Sequence, residues 1–366
     1  MKIKRAASLM IEPRNEKLLV HNFVSNKRFL CNLDCIAFLG ELSEWTELDA
    51  IFARNRVFKP ASLAEQIEQL LEEDALVAEG TQAARRDAEY QRNWEWGAAS
   101  GFYHFSIRNG RFLSGPEQRD AIRARRAEKG PSPALVCPNN PAASRELPAA
   151  SSGPLLDTIR SRRSIRGYKQ QPISQQALAD CLFAGKGITG QISDPDFGTL
   201  PLGTTPSGGA RNPYELYVYA RQVTDLPHGW YHYSSAEHTL ELLDAETPYH
   251  PDLLAGQEWT ADARALIFLM ADFSRTMWKY QTPPSYRVVL MEAGFIGQNI
   301  ALAATVHGLS ATPTASMQED RLEEILGCTK IQQSVILALS IGYPDATSTP
   351  ATESVNLEQL TNSNDD

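Results

Sequence analysis

The stretch Thr205–Ala220, TPSGGARNPYELYVYA, decides how the chain is read. Pro206 fixes the backbone ahead of Ser207, and Gly208-Gly209 remove side chains just before ELYVYA, which reads as a strand. Glycines so placed let backbone N–H groups approach a planar ligand or a phosphate closely. The spacing fits neither a G-x-G-x-x-G dinucleotide turn nor a P-loop, and no G-x-S-x-G nucleophile elbow occurs. Taken alone, the stretch is equally an ordinary glycine turn.

Around it, residues 154–345 hold the largest core. PLLDTIRSRRS and SQQALADCLFAGKGI read as helices, the second capped by Ser174. GWYHYSSAEHTLELL reads as a hairpin, and ARALIFLMADF and SVILALSIGYP as buried strands. A long helix from Ser285 to His307 carries the small residues Ala293, Gly294, Gly297, Ala301 and Ala304, which let another helix approach. Residues 1–82 pattern as two short strands, EKLLVHNFV and KRFLCNL, followed by helices. One of these carries Ser62 as an N-cap ahead of Glu65, and the order predicts a small winged-helix-like module. Residues 83–153 combine the aromatic-rich YQRNWEWGAASGFYHFSIRNG, expected to pack on something, with a Pro-rich linker. The polar tail, residues 346–366, reads as disordered.

Composition narrows the function. The 366 residues carry a formal net charge of −9, which argues against a general nucleic-acid surface. The one basic run, RDAIRARRAEKG, reads as a solvated helix or linker. Five cysteines at scattered spacing imply free thiols rather than a disulfide framework. No apolar run approaches the ~20 residues of a bilayer span, and the N-terminus lacks the apolar stretch of a secretory signal. The expected compartment is the cytoplasm. His228 and His232 share one face of a strand but lack a third ligand, so no metal is expected.

Two further segments carry chemical groups. In RSRRSIRGY, Arg162, Ser164 and Arg166 alternate, so an extended backbone points all three the same way. Forked guanidinium donors match phosphate oxygens, although a solvated basic loop is the plainer reading. Lys279-Tyr280 follows an apolar run and precedes Pro283-Pro284, which puts two proton-transferring groups on a stiff turn. A surface lysine beside a half-buried tyrosine is the plainer reading there. Glu292 and Arg287, nearby on the long helix, read as an ion pair or a buried dimer contact.

In this order the segments resemble the nitroreductase superfamily, and within it the SagB-type azoline dehydrogenases. RRSIRGY is similar to that superfamily's R-x-S-x-R opening, and TPSGGARNPYELYVYA to its Pro-Ser-small turn and strand. KYQTPPSYRVVLMEAGFIGQNIALAATVHGLSATP is similar to the SagB-type Lys-Tyr and its long helix, and SIGYP to the closing strand. The resemblance covers about Leu155 to Pro344. It implies an α+β, nitroreductase-like fold: a central antiparallel or mixed sheet flanked by helices, in a homodimer with FMN at the subunit interface. Arg162, Ser164 and Arg166 would hold the ribityl phosphate and the pyrimidine edge. Pro206, Ser207 and Gly208 would lie against the isoalloxazine ring, with Thr314 and Ala315 near N5. A basic residue after the closing strand, frequent in the superfamily, is absent from GYPDATSTPATESV.

The implied reaction oxidises a thiazoline or oxazoline on a peptide or carrier-bound substrate. Tyr280 and Lys279 would assist C–H deprotonation, with hydride transfer to flavin N5 and reoxidation by O2. A ring C–H is a weak acid, so the base must be held rigidly within reach, and an adjacent ammonium favours the tyrosinate. An NAD(P)H-dependent flavin reductase or nitroreductase is the alternative enzyme. An inactive flavin-fold scaffold that binds peptide is the alternative outside catalysis. The order hairpin, helices, LLEEDALVAEG at the N-terminus resembles PqqD-like peptide clamps, which add a leader peptide as a strand to a sheet edge.

Overall fold

The computed structural model describes residues 1–54, 60–111, 113, 115–131, 133, 135–136, 145, 147–328 and 330–348. The expected disorder of the tail concerns mostly residues outside this set. The chain begins with β1 (Lys2–Arg5), β2 (Leu9–Arg14), β3 (Lys17–Asn22), β4 (Lys27–Cys31), α1 (Leu33–Glu41), β5 (Thr46–Glu47), α2 (Leu48–Arg54), α3 (Pro60–Glu72) and β6 (Leu76–Ala78). Two three-stranded sheets, ordered β5-β1-β6 and β2-β3-β4, wrap a core of Ile3, Leu39, Leu63, Ile67 and Leu76. The two strands expected from EKLLVHNFV and KRFLCNL are β3 and β4, and Asn26 turns between them at φ 56.

One local expectation is corrected here. Ser62 is not an N-cap, because α3 already starts at Pro60, whose fixed φ suits a first helical turn. The helically spaced apolar segment that begins at Asp34 is divided. It breaks into α1 and α2 around β5, where pairing of Ile3 with Thr46 prevails over helical periodicity.

Next come α4 (Gln82–Asn93), α5 (Gly97–Ser106) and α6 (Gly115–Lys129). The basic run forms α6, which buries no residue. The aromatic segment packs as expected. Trp94, Trp96 and Phe105 are buried in one cluster with Phe23 from the N-terminal module and Phe273 and Tyr286 from the large domain. Arg108 reinforces this seam, pairing with Asp320 at 2.6 Å and Glu323 at 2.5 Å.

The large domain contains α7 (Pro154–Ser161), α8 (Gln175–Lys186), β7 (Ile188–Asp194), β8 (Gly198–Gly203), β9 (Tyr214–Ala220), β10 (Gly229–Ser234), β11 (Thr239–Asp244), β12 (Ala265–Asp272), α9 (Phe273–Met277), α10 (Pro284–Val306), β13 (Ser310–Thr314), α11 (Glu319–Ile325) and β14 (Gln333–Gly342). Six of these strands form an antiparallel sheet ordered β11-β10-β9-β12-β14-β13. Alternation along the strands sends Leu216, Val218, Ile267 and Leu269 toward α10, and Tyr217, Tyr219, Leu266 and Phe268 to the opposite core. Ser174 caps α8 as expected, its hydroxyl accepting the Ala177 N–H at 3.1 Å.

Helix α10 lies on the sheet through Val289, Ala293, Ile296, Ile300 and Ala304. At Gly297 the close neighbour is the sheet rather than another helix, since a Cβ would lie 2.8 Å from Leu337 of β14, while Gly294 faces open space. The helix is long and apolar enough by composition to cross a membrane, contrary to the expectation of no such run. Its apolar side is instead used against the sheet. The β7–β8 ribbon was not expected from sequence. Among the described residues its strands pair only with each other, and they stand largely exposed.

Candidate active site

Folding brings the glycine turn and the Lys-Tyr pair together, although about seventy residues separate them in sequence. The turn runs from Pro206 into a short 3-10 segment, Gly208–Ala210. Gly209, Ala210 and Asn212 all adopt positive φ, at 61, 55 and 48. A non-glycine residue in that region costs about 1–2 kcal/mol, so the surrounding contacts must impose the conformation. They are identifiable. The Gly208 N–H donates to Glu292 Oε1 at 2.7 Å, and the Asn212 N–H to Ser207 Oγ at 2.9 Å. Lys186 Nζ reaches Asn212 Oδ1 at 3.1 Å, and Arg275 holds both the Asn212 carbonyl at 2.9 Å and Glu215 at 2.5 Å.

Lys279 and Tyr280 follow α9, their N–H groups both donating to Thr276 O, at 3.2 and 2.9 Å. The Trp96 indole N–H donates to Tyr280 O at 2.6 Å, so the aromatic segment fixes this turn from below. Pro284 then opens α10. A Cβ on Gly209 would collide with the Tyr280 hydroxyl and lie 3.0 Å from Lys279 Nζ. Glycine is therefore favoured at 209 twice, for its backbone angle and for the space the pair occupies. Lys279 Nζ sits 5.5 Å from the Tyr280 ring centroid, and Tyr280 is 37% exposed, so the phenol remains reachable from solvent.

The second group of candidate residues gathers at the far end of the domain. After α7 the chain is extended. Ile165 is pinned by its N–H to Ser310 Oγ at 3.1 Å, and its carbonyl accepts the Thr312 hydroxyl at 2.8 Å. Buried Ile165 thereby leaves Arg162, Ser164 and Arg166 on the outer side, as alternation requires, with Arg162 bonded to Ser164 at 3.3 Å. The Arg166 guanidinium stands 5.5 Å over Trp259. Thr314 ends β13 on the same strand, its hydroxyl bonded to Gln257 at 3.0 Å, and Ala315 follows. Among the described residues, no hydrogen bond, ion pair or ring contact joins this group to Ser207–Gly209 or to Lys279–Tyr280.

Sequence reasoning missed four residues at the first group: Lys186, Glu292 as the turn's acceptor, Trp96 and Phe197. Glu292 does not pair with Arg287, which is exposed. It is buried beneath the glycine turn, and that burial raises its pKa while the Gly208 N–H, Ser207 and Lys186 pull it back. Burial also brings the Lys186 ammonium down to about 8, opposed by Glu215 and Glu292 and assisted by Arg275. The two histidines go elsewhere: His228 bonds Tyr219 Oη at 2.6 Å and His232 bonds Glu215 at 3.2 Å.

With this geometry in hand, the chain can be set beside known proteins. The sequence pattern of the nitroreductase family matches residues 159–343, which span both candidate groups. The chain belongs to the nitroreductase family. Among family relatives, MJ1384 of Methanocaldococcus jannaschii, which carries the nitroreductase name, is 31% identical over 199 residues, covering 54% of this chain and 94% of its own length. The trifolitoxin-processing protein TfxB of Rhizobium leguminosarum bv. trifolii is 31% identical over 142 residues, 37% of this chain, and the match spans 38% of TfxB. A nitroreductase-family crystal structure from Ralstonia eutropha JMP134 superposes with a TM-score of 0.42 at 24% identity, over 59% of this chain and 95% of that one.

Proposed function

We propose that this nitroreductase-family chain is an FMN-dependent dehydrogenase that oxidises a thiazoline- or oxazoline-type heterocycle carried on a peptide or carrier. The observation that carries the reading is the packing of Lys279 and Tyr280 against Gly209, which sets an ammonium and a reachable phenol on one rigid turn. The partial match to a protein named for trifolitoxin processing supports a peptide-derived substrate.

The residues present fit FMN. Arg162 and Arg166 flank a hydroxyl with most of their forked donors uncommitted, which suits a phosphate. The Ser207–Gly209 turn would lie against the flat ring through its backbone. Bound there, FMN would supply a two-electron acceptor. Tyr280 would take the proton from the ring carbon, with Lys279 as its electrostatic partner. Glu292 would keep the turn in place through the Gly208 N–H.

The two groups lie apart on one subunit, so each site is proposed to combine one group from each of two copies. The outer face of α10 is suited to such a dimer: Val288, Met291 and Phe295 repeat at helical spacing, with Met291 53% exposed. The N-terminal module is proposed to hold the peptide. A groove of about 480 Å³ runs between β4 and α3, lined by Phe29, Leu30, Gln66, Gln69 and Leu70, and β4 is the edge of its sheet. An extended peptide can add there as a fourth strand.

The test is co-expression with a cyclised precursor peptide, followed by mass spectrometry. A loss of two hydrogens per heterocycle, absent with Tyr280→Phe and with Lys279→Ala, supports the reading. Undiminished loss in both variants removes it. Rapid consumption of NAD(P)H with no change in the peptide would favour the flavin reductase instead.

A further inference from the structure

The β7–β8 ribbon has no place in the reading above. A two-stranded ribbon is marginal alone, and this one projects with Ile188, Ile192 and Leu202 exposed. Its tip, however, is tightly made. The Asp194 carboxylate accepts the N–H groups of Asp196 at 2.9 Å and Phe197 at 3.0 Å, and Gly198 turns the chain back at φ 72. This turn presents Phe197 to the Lys-Tyr pair. The ring centroid lies 4.0 Å from Lys279 Nζ, and the ring meets Trp278 edge-on at 6.2 Å.

On its other side Lys279 is bounded by Gly209, where a Cβ would come within 3.0 Å of the ammonium. Among the described residues Lys279 forms no ion pair with a carboxylate. Trp278, the neighbouring aromatic, is already occupied by Arg211, whose guanidinium carbon lies 4.6 Å from its centroid. The ammonium is therefore bounded by the Phe197 ring at 4.0 Å, by Gly209 and by the Tyr280 ring at 5.5 Å.

We propose that Phe197 is a positioning residue that holds the Lys279 ammonium beside the Tyr280 hydroxyl, which makes the β7–β8 ribbon part of the active site. The proposal rests on the reading of Lys279 and Tyr280 as the reacting pair. A lysine side chain is long and flexible, and a cation is attracted to a ring face even at a partly exposed site such as this one, where Phe197 is 38% exposed. The ring thus restricts the ammonium without neutralising it, as a carboxylate would.

The experiment uses the full chain with Phe197→Leu and Phe197→Tyr. Lysines are pulse-labelled with an amine-acetylating reagent, and the Lys279 peptide is quantified by mass spectrometry. Oxidation of an azoline peptide is followed in parallel. Phe197→Leu should raise Lys279 labelling about threefold and lower kcat by about two- to fivefold with KM little changed, from the usual strength of such contacts at a partly exposed ring. Phe197→Tyr, which keeps the ring face, should restore both. Unchanged Lys279 labelling in Phe197→Leu overturns the proposal, as does raised labelling with wild-type kcat. If the wild-type protein oxidises no azoline, the proposed function fails, and the labelling result alone decides the clamp.

Discussion

Replacing Gly209 by alanine probes the contact on which the site is built. The substitution has two separable costs. Holding alanine at φ 61 costs about 1–2 kcal/mol of stability relative to glycine. The new methyl group would also occupy the position of the Tyr280 hydroxyl and crowd Lys279 Nζ at 3.0 Å. Both groups end side chains that can move, so the fold should survive while the phenol is displaced by about 1 Å. Misplacement on that scale costs about 100-fold in rate, or about 2.7 kcal/mol on the barrier. Gly209→Asn separates the two effects, because asparagine tolerates the left-handed region but carries the same Cβ. Chemical denaturation and kcat for azoline oxidation are the assays. Both variants should lose about 100-fold in kcat, whereas only the alanine variant should lose the full 1–2 kcal/mol. Turnover within twofold of wild type in Gly209→Ala would refute the argument that the glycine makes room for the catalytic pair.

Three other outcomes are expected. His104 is fully buried with one ring nitrogen lacking a partner, and burial, aided by Arg108, holds its pKa well below 6.5. The unfolded chain therefore takes up this proton first. Stability should fall as pH drops below 6.5, by up to about 1.4 kcal/mol per pH unit. His104→Gln should flatten that slope in denaturation measured across pH, and an unchanged slope would exclude the histidine. Trp96→Phe removes the donor to the Tyr280 carbonyl and should cost about 1–2 kcal/mol in stability together with a fall in kcat, whereas a loss of stability alone would separate the anchor from catalysis. Glu292→Gln keeps an acceptor for the Gly208 N–H and should retain most activity, whereas Glu292→Leu strands that N–H and should lower flavin affinity, as read by fluorescence titration.

Much of the fold was legible because the short apolar runs in ELYVYA and ARALIFLMADF, and the long apolar helix, are strong local signals. The α+β architecture with an antiparallel or mixed sheet came from the family resemblance, and the packing of residues 90–110 from their aromatic content. The β7–β8 ribbon was not legible, since ITGQISDPDFGTLPLG exposes its apolar residues and shows no clean face. Glu292 misled because an Arg287 nearby on the helix invites an ion pair, whereas the fold carries the glycine turn over the carboxylate. Lys186 sits in AGKGI, where no neighbour in sequence announces Glu215 or Arg275. Gly209 was visible as a turn residue, but its second role depends on a contact with Lys279-Tyr280 that only folding creates.

The central claim is that Tyr280 takes a proton from an azoline while FMN accepts the electrons. It is tested most directly by mixing the FMN-loaded protein anaerobically with an azoline peptide and following the flavin's visible absorbance. The wild-type protein should bleach, and Tyr280→Phe, with equal flavin content, should bleach at least about 100-fold more slowly, a loss within the usual range for a general base. Bleaching of Tyr280→Phe at the wild-type rate would contradict the account.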